Sequence, residues 1–110
     1  MLLPDTLTTI GENAFFDCKS LVTVTLGSSL KKINLYAFYG CESLKRIDLP
    51  ATVTHIGTWA FHNCFDMHTI TFGGTVAEIT AAVGGRYLGD HIPSGIDCSD
   101  GDFRLPSRPF

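Results

Sequence analysis

A 23-residue register constrains this chain more than any other feature. Cys18, Cys41 and Cys64 are 23 residues apart, and so are Leu21, Leu44 and Met67; Val24, Ile47 and Ile70; and Leu26, Leu49 and Phe72. A second block repeats in step: Leu7, Leu30, Val53 and Val76; Ile10, Ile33, Ile56 and Ile79; Ala14, Ala37 and Ala60; Phe15, Phe38 and Phe61. Eight columns therefore keep their chemical type through three or four copies. A fixed period of this length predicts a solenoid whose coils stack over one continuous core, because no single copy can bury its apolar face alone. Function in such a fold is sought on a surface, since solenoids rarely carry catalytic clefts.

The columns also predict local structure. The segment Leu-x-x-Val-x-Leu ends in four residues that alternate in and out, which is strand periodicity, so strands are expected near 21–26, 44–49 and 67–72. Gly27, Pro50 and Gly73 then turn the chain. The next segment, with Leu7 and Ile10 and their equivalents, reads as a short second strand or an extended run on the opposite wall. The stretch around Ala14-Phe15, Ala37-Phe38 and Ala60-Phe61 reads as a helical turn with both side chains inward. Parallel strands lie about 4.8 Å apart, so equivalent side chains should form ladders along the axis. Met1, Leu2 and Leu3 fall in register with Val24, Thr25 and Leu26. The chain therefore opens inside a repeat, as a fragment of a longer repeat protein or a very small complete one.

Composition narrows the function. A chain of 110 residues with 45% apolar and 17% charged content suits one packed domain. A net charge of -3 argues against a nucleic-acid binder, which needs a basic face. The apolar runs are too short to insert in a bilayer, and no N-terminal stretch has the layout of a signal peptide. Three of the four cysteines share a core column, which points to buried thiols rather than to a disulfide between neighbouring coils or a metal site. Thiols in a straight ladder cannot converge tetrahedrally on one ion.

The pattern Leu-x-x-Ile-x-Leu-Pro in 44–50, followed by Ile-Gly-x-x-Ala-Phe-x-x-Cys in 56–64, resembles the BspA-like (Treponema pallidum-type) leucine-rich repeats. The flanking copies resemble it less completely, with Gly27 and Gly73 in place of Pro and Asn34 in place of Gly. The resemblance covers 1–73. It implies a bacterial surface or secreted protein that binds other proteins or host matrix, without enzyme activity. Gly74, Thr75 and Glu78 are similar to an element that often follows the last such repeat, with Ile79 where Trp is usual. Cys98-Ser99-Asp100-Gly101 resembles the segment that ends many of these proteins.

The residues after the register have their own signals. Thr75 and Glu78 are spaced as a capping box, predicting a helix over 76–83 ended by Gly84 and Gly85. Asp100-Gly101 between 96–98 and 103–105 is a hairpin signal, since both residues tolerate positive φ. The expectation is an α/β, β-rich fold: a right-handed leucine-rich-repeat superhelix of about three and a half coils over 1–73, with a helix-hairpin cap and loose tail, marked by Pro106 and Pro109, over 74–110.

Two surfaces are candidates for binding. The residues before the inward Ala and after the inward Phe are three apart, so a helical turn would bring them to one side. Stacking then makes a stripe of Phe16, Tyr36, Tyr39, Trp59 and His62, the residue types favoured at interface hot spots. The outward strand positions give a second, polar face with a central basic pair, Lys45 and Arg46, beside Asp48 and His68. No nucleophile stands at a fixed spacing from any histidine; His55 and Glu78 share a column and are expected as a polar pair. The reading is a protein-binding or adhesion module with a protein ligand, such as a host surface or matrix protein, and with no catalytic residues, cofactor or metal. Its setting is the cell surface, or secretion, within a longer parent. The alternative is a free-standing cytoplasmic inhibitor of a partner enzyme, if the chain is complete; a carbohydrate-binding module is a third reading. The uncapped N-terminal edge beside Leu3 and Leu7 predicts a homodimer.

Overall fold

The protein, a computed structural model, is described over residues 1–108. Its strands fall into two sheets. The Leu-x-x-Ile columns form the first, in which β1 (Thr9–Ile10), β2 (Lys32–Ile33) and β4 (His55–Ile56) pair in parallel. The register is that of the repeat: Ile10 pairs with Ile33, and Ile33 with Ile56. The second sheet has the order β3-β5-β6-β7, from Arg46–Leu49, Thr69–Phe72, Gly95–Cys98 and Gly101–Arg104. β3 and β5 pair residue for residue, Ile47 with Ile70 and Leu49 with Phe72, so alternate side chains enter the core.

The first copy departs from the expected strand. Residues 21–26 carry only an isolated bridge, Leu2 with Thr25, in the register expected for the opening residues. Thr25 accepts from the Leu3 N–H and donates to the Met1 carbonyl. On the other side the Lys45 N–H donates to the Val22 carbonyl, and this does not extend into a ladder with β3. The N-terminal edge leaves Ala14 exposed and Phe15 half-buried, whereas Ala37, Phe38, Ala60 and Phe61 are fully buried. Ala14 was expected to point inward; among the described residues no earlier turn run lies against it, as 12–17 lies against 35–40.

The Ala-Phe stretches are not helical turns. Each is a six-residue run of turns, over 12–17, 35–40 and 58–63. Within a run the N–H groups alternate in destination. Ala37, Tyr39 and Cys41 donate back to the third residue before them, while Tyr36, Phe38 and Gly40 donate to carbonyls 22 residues on, in the next copy. Every second N–H thus ties one copy to the next, which an α-helix could not do. The alternation is made possible by left-handed residues at both ends of the run: Asn13 and Asp17, Tyr36 and Gly40, Trp59 and Asn63, with φ between 56° and 74°.

The core follows the columns. Phe15 stacks on Phe38 with centroids 5.0 Å apart, and Phe38 on Phe61 at 5.6 Å. Helix α1 (Val76–Val83) begins at the Thr75–Glu78 capping box and ends on left-handed Gly84, burying Ile79, Ala82 and Val83. β6 and β7 form the hairpin, but its two turn residues are Ser99 and Asp100, because Gly101 already pairs with Cys98. Asp100 does not take a positive φ; its carboxylate accepts from the Val76 N–H at 2.8 Å, at the start of α1. The chain is held as far as Arg108, whose guanidinium makes two bonds to Asp90 at 2.6 and 3.1 Å, so the tail expected to be loose is docked there. Pro109 lies outside the described residues.

Candidate protein-binding surface

The turn runs build the aromatic strip. In the second run the Tyr39 N–H donates to the Tyr36 carbonyl, and in the third His62 does the same to Trp59, so side chains three apart meet although the backbone is not helical. Phe16 stacks on Tyr39 at 4.7 Å and 6°, and Tyr39 lies 5.0 Å from His62. Tyr36 meets Tyr39 edge-on at 5.5 Å, and Trp59 meets His62 at 4.2 Å. All five stripe residues are thereby brought together. Phe16, Tyr36, Tyr39 and Trp59 line a shallow concavity of about 410 Å³ with no charged group in its wall.

The strip has a backbone peculiarity. Asn13, Tyr36 and Trp59 occupy one column, and all three have φ near 60°. Asparagine tolerates that conformation through its short polar side chain, but for a bulky aromatic it is a real outlier. The cost is roughly 1–2 kcal/mol per residue. The column at the other end of each run is Asp17, Gly40 and Asn63, residue types suited to left-handed backbone. In the strip, by contrast, Tyr36 and Trp59 are bulky aromatics where the backbone disfavours them.

The strip also extends further than the sequence suggested. Tyr87 meets Trp59 edge-on at 5.9 Å. Trp59, Phe61 and Asn63 donate their N–H groups to the carbonyls of Tyr87, Leu88 and Asp90, which thus replace a fourth copy. His62, the one buried polar side chain in the described chain, accepts from the Asp90 N–H through Nδ1 at 2.9 Å. Burial pushes its pKa down from the ordinary histidine value; the Asp90 carboxylate opposes the shift, and Arg108 and His91 reinforce it. Asp90 in turn hydrogen-bonds the Tyr87 hydroxyl and Arg108, which hold its carboxyl below the usual range. Residues 87–90 match no column, so periodicity could not have found them.

The strand face differs in charge from its expectation. Arg46 is not a free cation: its guanidinium pairs with Asp48 at 2.7 Å, and the Thr71 hydroxyl donates to the same carboxylate at 2.6 Å. Asp48 is held below the ordinary carboxylate range by those bonds, Arg46 first. Lys45 and His68 are exposed at the start of the sheet, His68 with Nδ1 3.2 Å from the Asp66 carbonyl. β6 and β7 then add Asp97 and Asp102, paired across the hairpin, so the row Asp48, Thr71, Asp97, Asp102 is acidic. His55 and Glu78 do not form the expected pair. Glu78 is engaged by Thr75, and the charges that bear on His55 are Arg86 and Lys32.

The cysteines are free thiols. Cys41 and Cys64 are buried, and each donates to the Phe carbonyl of the copy before, at 3.1 and 3.2 Å. Burial raises both pKa values to about 12, so the thiols are protonated at neutral pH. Cys18 and Cys98 are half-exposed. Among the described residues there is no group of three or more potential ligands that could hold a metal ion, and no helix long and apolar enough to cross a membrane.

Comparison with known proteins agrees with the repeat geometry. The family model described as "BspA type Leucine rich repeat region (6 copies)" matches residues 1–83, taking in helix α1 beyond the expected end of the register. No curated protein sequence matches the chain. A solved structure of a leucine rich cell surface protein from Faecalibacterium prausnitzii A2-165 is 44% identical, with a TM-score of 0.62, over 64% of this chain. The match spans only 18% of that protein's length. With its columns matched over most of its length, the chain belongs to the BspA-type leucine-rich-repeat family and has that repeat's fold of mixed strands and few helices.

Proposed function

We propose that this chain is a non-catalytic protein-binding or adhesion module of a bacterial surface or secreted leucine-rich-repeat protein. In this reading, residues 1–73 form a short right-handed solenoid of about three and a half coils, and residues 74–110 cap its last coil. The binding surface is the aromatic strip of Phe16, Tyr36, Tyr39, Trp59 and His62, and the ligand is a protein of the host surface or matrix. One observation carries the assignment: Tyr36 and Trp59 occupy left-handed positions that the same column fills with asparagine in the first copy. Local strain of this kind clusters at functional sites. The rings supply large apolar area with little rotamer entropy, as anchors at interfaces do. The likeness to a cell surface protein supports the location. The strand face of Lys45, Arg46, Asp48 and His68 serves as a polar flank, since its central ion pair is exposed and screened.

The test is a panel of immobilised host matrix and surface proteins, run beside a glycan array, with wild type and Tyr36→Asn. Binding to a protein spot that weakens at least about ten-fold in the variant, the loss of one hot-spot anchor, is the expected result. Glycan binding in place of protein binding, or protein binding indifferent to Tyr36→Asn, would overturn the reading.

A further inference from the structure

Residues 87–90 lie over the third turn run where a next copy would stand. Three of the bonds that hold them there join backbone to backbone and are insensitive to pH. The fourth is not. The Asp90 N–H donates to His62 Nδ1 at 2.9 Å, and only an unprotonated Nδ1 can accept. The ring cannot turn away freely: it is 6% exposed and lies against Tyr39 at 5.0 Å and Trp59 at 4.2 Å. A proton on Nδ1 would set two donors against each other.

We propose that His62 is an acid-sensitive latch, which holds residues 87–90 against the end of the aromatic strip at neutral pH and releases them on protonation. Release uncovers the Trp59 face now met by Tyr87 and frees the N–H groups of Trp59, Phe61 and Asn63 for a protein partner. The purpose of the latch rests on the strip being a binding surface; the release itself does not.

The groups around His62 decide the sign. From the covering segment come Asp90, which favours the charged ring, and His91, which opposes it. From the tail comes Arg108, which also opposes it and already pairs with Asp90. Tyr39 and Trp59 on the strip, and Tyr87 above, bring no formal charge. Burial outweighs the Asp90 attraction, so the latched state binds its proton more weakly than the open state does. Latching is therefore at full strength above the ordinary histidine value of 6.5 and weakens as pH falls below it.

Amide hydrogen exchange of the intact chain tests this without any ligand. Exchange is followed at Trp59, Phe61, Asn63 and Asp90 from about pH 7.5 to about pH 5, corrected for intrinsic rates, spanning the ordinary histidine titration. Protection of these amides should fall by about ten-fold or more across that range, while the β3–β5 ladder keeps its protection. In His62→Gln, whose side chain does not titrate, the profile should be flat, whether the segment stays latched or open. His91→Gln should keep the wild-type transition. A flat wild-type profile, the same fall in His62→Gln, or loss of the transition in His91→Gln would each overturn the latch. None of these outcomes bears on whether Tyr36 binds a protein, so the two proposals fail separately.

Discussion

At the scale of single residues, two columns that carry aromatic rings play opposite parts. Phe15, Phe38 and Phe61 stack inside, and Phe38 and Phe61 have no exposed surface. Tyr36 and Trp59 sit on the rim with a strained backbone. Phe38→Ala leaves a cavity between two rings that the neighbouring copies hold fixed, at a cost of about 3–5 kcal/mol. Tyr36→Asn relieves roughly 1–2 kcal/mol of left-handed strain. It also loses one edge-on ring contact with Tyr39, worth about 0.5–1.5 kcal/mol, so the two effects nearly cancel. Urea melts should therefore show a large drop in midpoint for Phe38→Ala and almost none for Tyr36→Asn. Comparable losses would mean that Tyr36 is part of the core and that its aromatic identity needs no functional explanation.

At the scale of elements, α1 shows how an eight-residue helix persists. It is too short to be stable alone, and it is fixed at both ends by specific bonds. Thr75 and Glu78 cap each other, Gly84 returns its N–H to Thr80, and Asp100 reaches from the hairpin to the Val76 N–H. The negative carboxylate also suits the positive end of the helix dipole. Asp100→Ala should cost about 1 kcal/mol, as loss of a capping side chain does, with faster exchange at the Val76 amide. Asp102→Ala is the control on the same hairpin. It removes one of two carboxylates that face each other across β6 and β7, and should be neutral or slightly stabilising. If thermal melts show equal losses for the two variants, the bond from Asp100 contributes nothing special.

At the scale of the whole molecule, the two ends differ in hydrogen-bond polarity. Each turn run donates forward, so the last run presents donors, and residues 87–90 cover them. The first run presents acceptors: among the described residues no N–H is directed at the carbonyls of Glu12, Ala14 and Phe16. A two-fold partner would set these carbonyls against their own copies. The homodimer expected from the sequence would then close through an unpaired backbone edge of the first copy, either that of β1 or, on the other wall, that of Leu2, which bridges Thr25 and is 78% exposed. Light scattering should show a dimer for the wild-type chain and a monomer for Leu2→Lys. A wild-type monomer at high concentration would mean that this edge does not associate with a second copy.

Much of this organisation was legible in the sequence. The Phe, Ile and Leu ladders, the parallel registers and the limits of α1 follow from columns and caps, because a repeated contact leaves a repeated residue type. The grouping of Phe16, Tyr36, Tyr39, Trp59 and His62 was legible too, although a turn run brings them together where a helix was expected. The alternating N–H pattern that builds this run has no residue signature apart from asparagine and glycine near its ends, and Tyr36 and Trp59 hide even that. The placement of residues 87–90, the link from His62 to Asp90, the use of Asp100 as a helix cap and the acidic row on the strand face were decided by tertiary structure alone. Each is a single long-range contact between segments that do not share the period. Periodicity reports only what recurs, and contacts made once depend on where the whole chain places its end.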